Sequence, residues 1–152
     1  MTSTTPLPIV HYRDRLADLD FATVHGWLTT TYWSPGISRI LVEQGFANSR
    51  LVIGAFIHER QVGVARALTD TTRFGYVLDV FVDEAFRGRG IARSMVQCLV
   101  EHPDAVLVKR WLLATREAHG VYRPLGFAPL AEPGKWMARE QPVTAAFTSL
   151  RS

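Results

Sequence analysis

The chain has 152 residues, 47% hydrophobic and 20% charged, enough for one sizeable core and too few for two comfortable domains. A mean hydropathy of +0.05 excludes a disordered chain, and the apolar runs stop well short of the roughly 20 residues a bilayer span requires. The formal charge of +3 comes largely from arginine, Lys109 and Lys135 being the only lysines, and is too small to argue for nucleic acid.

Residues Met1 to Pro6 show no basic start followed by an apolar block, so no secretory leader is expected. The lone Cys98 forms no internal disulfide, and a reducing, cytoplasmic setting fits it best. No repeat or low-complexity tract divides the chain. One domain is expected over 1–152, with its core at about 8–139 and a tail from 141 onward that carries no strong signal.

In chain order, Ile9 to Tyr12 reads as a short first strand. Asp18 is placed to cap a helix in which Phe21, Val24, Trp27 and Leu28 recur at helical spacing. Tyr32 to Gly36 breaks that helix, and Ser34 followed by Pro35 predicts the start of a second helix reaching Ala47. Leu51–Ile57 and Val62–Leu68 read as a hairpin, followed by the most apolar strand, Tyr76–Val82, whose large residues on both faces belong to the middle of a covered sheet. Ile91 to His102 is predicted helical and ends at Pro103. Trp111 to Ala114 is a short strand, and Ala118 to Leu125 is a helix stopped by Gly126. Phe127 to Leu130 and Trp136 to Ala138 are expected to form a last pair of strands.

The span from Tyr76 to Ala114 is thus a strand–helix–strand unit whose strands run parallel. The expected fold class is α/β: a mixed, mostly antiparallel sheet with helices on both faces and that parallel unit at its centre.

Between the central strand and its helix lies Arg87-Gly88-Arg89-Gly90-Ile91-Ala92-Arg93. A turn there presents unpaired N–H groups and the positive end of the helix dipole, and its two glycines let a ligand approach the main chain. With three arginines in seven residues it reads as a diphosphate site; the plain alternative is a solvated basic turn. It is neither a Walker loop, having no Gly-Lys-Ser/Thr, nor a dinucleotide fingerprint, having Arg93 where the third glycine belongs.

Arg87-x-x-Gly90-x-Ala92 resembles the Gln/Arg-x-x-Gly-x-Gly/Ala signature of the GNAT superfamily of acetyl-CoA-dependent N-acetyltransferases. The helix-rich first third, the central hairpin and Tyr122-x-x-x-Gly126-Phe127 are similar to that family in order and spacing, over about residues 8 to 139. The resemblance implies acetyl-CoA as acyl donor. The main chain of Val80, Phe81 and Val82 would pair with the pantetheine arm. Gly88, Arg89, Gly90, Ile91, Ala92 and Arg93 would wrap the pyrophosphate, with Arg87 at the signature's first position. An asparagine that relatives often carry seven residues before the tyrosine is Thr115 here.

The resemblance makes Tyr122 the candidate acid for the departing thiolate, since a phenol stays protonated at neutral pH. The alternative is a core tyrosine packed on Leu125 and Phe127. Asp79, an ionisable group inside an apolar strand, is either a base or amine-binding group facing the cleft, or a structural carboxylate bonded to an arginine or to backbone N–H groups. Glu117 and His119 are rival bases, and a capping or packing role is equally open to His119.

No competing catalytic system is visible. Gly36 to Ile40 falls short of a nucleophile elbow, and Cys98 lies on an apolar helix face as an inert thiol. The five histidines, His11, His25, His58, His102 and His119, show no metal-ligand spacing, so no metal is expected. Tyr32 and Trp33 are candidates for lining the acceptor pocket, around an apolar or cationic group; Trp33 is otherwise a core plug. Arg39 and Arg66 either hold an acceptor carboxylate or pair with surface acids.

The expected function is acetyl transfer from acetyl-CoA to a primary amine by direct attack in a ternary complex. The acceptor is expected to be a small molecule, with a protein lysine or N-terminus as the alternative. No nucleic-acid or membrane partner is expected, and a homodimer stays open because many relatives pair. The alternative function is an acyl-CoA-binding sensor or interaction module without turnover.

Overall fold

The computed structural model describes residues 5–142, so the predicted tail falls almost wholly outside the described residues. Five strands form one sheet in sequence order: β1 (His11–Arg13), β2 (Leu51–Ile57), β3 (Arg60–Thr69), β4 (Phe74–Val82) and β5 (Arg110–Leu112). Neighbours pair antiparallel except β4 and β5, which run parallel. The helices are α1 (Phe21–Leu28), α2 (Arg39–Ala47), α3 (Ile91–Val100) and the single turn α4 (His119–Tyr122).

Period-two alternation along β2 and β3 builds a core on each face of the sheet. Val52 and Val64 turn to one side, against Val24 and Leu28 of α1 and Phe46 of α2. Ile53, Ala55 and Ala65 turn to the other, against Ile91, Met95 and Leu99 of α3, and a bulge opposite Phe56 sends Val62 to that face as well. The sheet is therefore covered by helices on both faces, in the mixed, mostly antiparallel arrangement expected.

Several boundaries differ from the sequence reading, each for a local reason. Ile9 is 74% exposed, and β1 begins at His11. Asp18 ends a 3-10 turn over Leu16–Asp18, and α1 is capped by Asp20, whose carboxylate accepts from the N–H groups of Ala22 and Thr23. The Ser34 hydroxyl is engaged with the Leu28 carbonyl at 2.9 Å, and Gly36 takes φ +72°. The second helix therefore starts later, capped by Ser38 through the Leu41 N–H.

Pro124 has no N–H for the helical ladder, so the last predicted helix shrinks to α4 and a 3-10 turn over Arg123–Leu125. The final pair of strands does not form. Pro129 and Pro133 lack the donors a ladder requires, and the segment instead runs past β5 without strand pairing, with Trp136 under the Arg110 guanidinium.

Candidate active site

Two irregularities in β4 create the site. Along its β3 side the register runs Gly63 with Val82 and Val64 with Phe81, then resumes at Arg66 with Leu78. Asp79 and Val80 thus oppose the single residue Ala65. Asp79 adopts φ +54°, a left-handed conformation that aspartate tolerates better than branched residues. This is a β-bulge, and it re-aims the strand beyond it.

On the other side, β5 pairs only with Phe74, Gly75 and Tyr76. The Trp111 ring lies against Gly75, where any Cβ would collide with it. Past Tyr76 the parallel strands part, and the end of β4 is left with one open edge. The Asp83 N–H donates to Val62 O at 2.8 Å. By strand alternation, Phe81 also directs its peptide groups to β3, whereas Val80 and Val82 direct theirs to the open edge. Of the three residues expected to offer main-chain groups, Phe81 therefore contributes its ring instead, and the Val82 carbonyl already accepts from Arg87 Nε at 3.0 Å.

A cleft of about 940 Å³ opens where the strands diverge. It gathers Tyr32 and Trp33, Val80 to Val82, Arg87, Gly88, Gly90 to Arg93, and Tyr122. Two predicted residues stand outside its wall: Arg89, whose guanidinium lies 5.3 Å over the Phe86 ring, and Asp79. Trp27 belongs to the wall, stacked on Phe81 at 5.5 Å between centroids. In the sequence it was legible only as a residue of an apolar helix face.

At one end of the cleft, Gly90 precedes α3 at its N-cap position and offers no side-chain cap. Gly88 and Gly90 take φ +78° and +77°, values that glycine adopts without Cβ strain. The N–H groups of Gly88, Arg89 and Gly90 meet no acceptor among the described residues, and those of Ile91, Ala92 and Arg93 have none within the helix by geometry. A run of unpaired donors at a helix N-terminus, beside the Arg93 side chain, is suited to a phosphate-bearing ligand.

Tyr122 closes the cleft on the α4 side. It is 7% exposed and packs edge-on against Phe127 at 6.2 Å. Burial, followed by the neighbouring Tyr32, pushes its phenol above the ordinary value. The packing role and a place in the cleft wall therefore coexist. Tyr122 also borders a second cavity of about 350 Å³, which His119 and Thr115 line. The Thr115 hydroxyl accepts from the Ala118 N–H at 3.1 Å, and both Glu117 and His119 are exposed.

Asp79 is held by two donors. Arg66 Nε donates to one carboxylate oxygen at 2.7 Å and Trp33 Nε1 to the other at 2.8 Å. Of the two readings of this residue, the structure has the arginine-bonded carboxylate. The same pair removes Arg66 from the candidates for an acceptor carboxylate, and Arg39 is likewise bridged to Glu43 at 3.3 Å. Trp33 is not a core plug, being 44% exposed, with Tyr32 edge-on to it at 5.0 Å.

Cys98 is half-buried on α3, away from the cleft, and burial raises its thiol above the ordinary value. Among the described residues no cluster of three or more His, Cys, Asp or Glu converges, and no helix is long and apolar enough to cross a membrane.

Residues 14–127 match the model of the acetyltransferase (GNAT) family. A protein belonging to the GNAT family from Xanthomonas campestris pv. campestris superposes with a TM-score of 0.84. It is 36% identical, over 90% of this chain and 96% of its own. Two more distant structures share the fold. A predicted acetyltransferase with acetyl-CoA from Clostridium acetobutylicum has a TM-score of 0.66 and 17% identity, over 87% of this chain and 96% of its own. The glucosamine-6-phosphate N-acetyltransferase of Arabidopsis thaliana has a TM-score of 0.62 and 16% identity, over 87% and 98%. No curated protein matches the sequence. The splayed strands, the uncapped phosphate turn and the match over 14–127 together lead to one assignment: the chain belongs to the GNAT family of acetyltransferases.

Proposed function

We propose that this protein transfers the acetyl group of acetyl-CoA to a primary amine, by direct attack within a ternary complex. The observation that carries the reading is the convergence, in one cleft, of an open strand edge, an uncapped helix N-terminus and a phenol. The amides from Gly88 to Arg93 receive the pyrophosphate, and the open edge at Val80 and Val82 pairs with the pantetheine arm. The Val80 N–H polarises the thioester carbonyl.

The amine nitrogen attacks the carbonyl carbon, the C–S bond breaks, and the sulfur leaves as thiolate. Tyr122 donates a hydrogen bond to that sulfur, and the proton the nitrogen loses to solvent is returned from solvent to the thiolate. A phenol near 10 and a thiol near 8.5 differ by about 1.5 units, so full transfer is uphill by about 2 kcal/mol. Burial of Tyr122 increases that gap. The phenol therefore acts mainly as a hydrogen-bond donor while charge develops on sulfur.

The ion-paired Asp79 is not assigned as the base. The amine loses its proton to water in the open cleft, and Asp79 holds the Trp33 side of the wall. No acyl-enzyme forms, because Cys98 is remote from the cleft and its thiol is held protonated. The lone free thiol is in keeping with a reducing, cytoplasmic setting, and the size of the cleft with a small-molecule amine.

The test is calorimetry with acetyl-CoA, followed by thiol release over a panel of amines. Binding with release supports the enzyme. Binding without release from any amine points instead to an acyl-CoA sensor. No binding overturns both.

A further inference from the structure

Resting on that reading of the cleft, we infer that the acceptor is an amine bearing an anionic group, a carboxylate or a phosphate, and that Arg116 receives that group. The acceptor end is walled by Tyr32 and Trp33, which are 51% and 44% exposed. Exposed rings of this kind suit either a cation on their faces or an apolar group between them. Here a protein cation already occupies one face: the Arg116 guanidinium carbon lies 3.8 Å from the Tyr32 ring centroid.

Arg116 has no ion pair among the described residues, and none of its N–H groups finds an acceptor there. Stacking engages the flat face of a guanidinium and leaves its edge of donors free. That edge, oriented by the ring, matches the two oxygens of a carboxylate or phosphate. Arg116 itself is exposed and is not part of the cleft wall; it reaches the site through its contact with Tyr32, and the segment bearing it leads into Ala118, which lines the cleft.

The charge balance of this wall works against a second positive group on the acceptor. The carboxylate bonded to the aromatic loop is Asp79, and Arg66 neutralises it at 2.7 Å. The carboxylates that do line the cleft, Asp83 and Glu84, sit on the turn leading to the phosphate loop, past the end of β4. Glu117, next to Arg116 in the chain, is exposed and lies outside the cleft wall, so no carboxylate of the wall stands at the acceptor end to offset the distal ammonium of a diamine beside the Arg116 guanidinium.

The test is acetyl-CoA-dependent thiol release with four series matched in chain length: ω-amino carboxylates, aminoalkyl phosphates, neutral alkylamines and α,ω-diamines. Acetyl-CoA affinity is measured in parallel. The best anionic amine is expected to exceed its neutral and diamine counterparts in kcat/KM by about tenfold or more at low salt, and the ratio of carboxylate to phosphate identifies which anion the site takes. Arg116→Gln should bring the anionic series down to the neutral level with the acetyl-CoA Kd unchanged, and Arg116→Lys should keep part of the preference.

A preference for diamines or neutral amines, equal rates in all series, or a preference that survives Arg116→Gln overturns the inference. So does an absence of transfer to every series while acetyl-CoA still binds. Failure to bind acetyl-CoA instead removes the acetyltransferase reading on which the inference stands.

Discussion

The Trp33 indole donates to the Asp79 carboxylate at 2.8 Å, joining the loop after α1 to the bulge of β4 across 46 residues of sequence. Arg66 binds the other carboxylate oxygen and reaches on to Gly45 O at 3.2 Å and to the Ser49 hydroxyl at 3.1 Å, so the end of α2 enters the same network. With the Arg66 and Asp79 side chains only 16% and 12% exposed, removing one partner strands a charge in a poorly hydrated place. Asp79→Ala should therefore cost about 3 kcal/mol in urea unfolding. Asp79→Asn, which keeps an acceptor for the indole and tolerates positive φ, should cost less. A loss of less than about 1 kcal/mol for Asp79→Ala would show that the ion pair is not what holds the bulge.

Tyr122→Phe separates the chemical step from binding. The ring packing on Phe127 survives the substitution, so acetyl-CoA affinity should stay within about twofold while turnover falls by about a hundredfold. The pH profile carries a second signature. Burial and Tyr32 raise the phenol pKa, so the acid form persists to a higher pH than in a free tyrosine. With the amine deprotonated by solvent, turnover should climb with pH through 9 with no descending limb near 10. A descending limb already at pH 8 to 9 would assign the proton to another group.

The local features were legible from the sequence because their causes are local. Leu51 to Ile57 is a continuous apolar run between turn residues, and it is β2 with those bounds. Gly88 and Gly90 lie next to a strand end and a helix start, and both take the positive φ that this position favours. What escaped the sequence were contacts between distant residues. Nothing near Asp79 indicates that Arg66 and Trp33 will face it, and nothing near Tyr32 indicates Arg116. The strands expected at Phe127 and Trp136 failed for a related reason. Their hydrophobic pattern is adequate, but a strand requires a partner with donors in register, and Pro129 and Pro133 interrupt the row.

Gly90 tests the phosphate turn. A Cβ there meets only Arg93 Nη2 at 3.6 Å, an ordinary contact, so crowding within the protein is not the obstacle. The φ of +77° is the obstacle, together with the approach of a ligand to the main chain. Gly90→Val should lose about 1–2 kcal/mol of stability, whereas Gly90→Asn should lose little, because asparagine visits this region readily. Both add a side chain where the pyrophosphate would lie, so both should weaken acetyl-CoA binding in calorimetry. An Asn variant that binds as tightly as the parent would move the diphosphate elsewhere.

Cys98 should be nearly inert to iodoacetamide at pH 7.5 in the folded protein. Its thiol is raised by burial first, then by Glu101 and Asp14, and the thiolate is the reactive form. Full labelling in urea with slow labelling in buffer is the expected result. Rapid labelling of the native protein, protected by acetyl-CoA, would bring this thiol into the cleft and contradict its place on α3.

The start of α1 tests the capping assignment, because two aspartates two residues apart compete for it. The Asp20 carboxylate takes the Ala22 N–H at 3.1 Å and the Thr23 hydroxyl at 2.8 Å, while the Asp20 N–H is anchored on the buried Gln61 side chain at 2.8 Å. Asp20→Ala should therefore cost about 1 kcal/mol in urea unfolding at pH 7, and Asp18→Ala should stay within about 0.5 kcal/mol of the parent. The hydrogen bonds from Thr23, the hydroxyl first, hold the Asp20 carboxyl below its usual range. A carboxyl depressed in the folded state contributes in full above the unfolded value, near 3.9, and loses that contribution as pH falls through the lower folded value. The gap between parent and Asp20→Ala should accordingly narrow below pH 4, while Asp20→Asn, which caps without ionising, should track the parent at pH 7 and show no such narrowing against Asp20→Ala. If Asp18→Ala proves the costlier change, the helix begins one turn earlier than the Asp20 hydrogen bonds require.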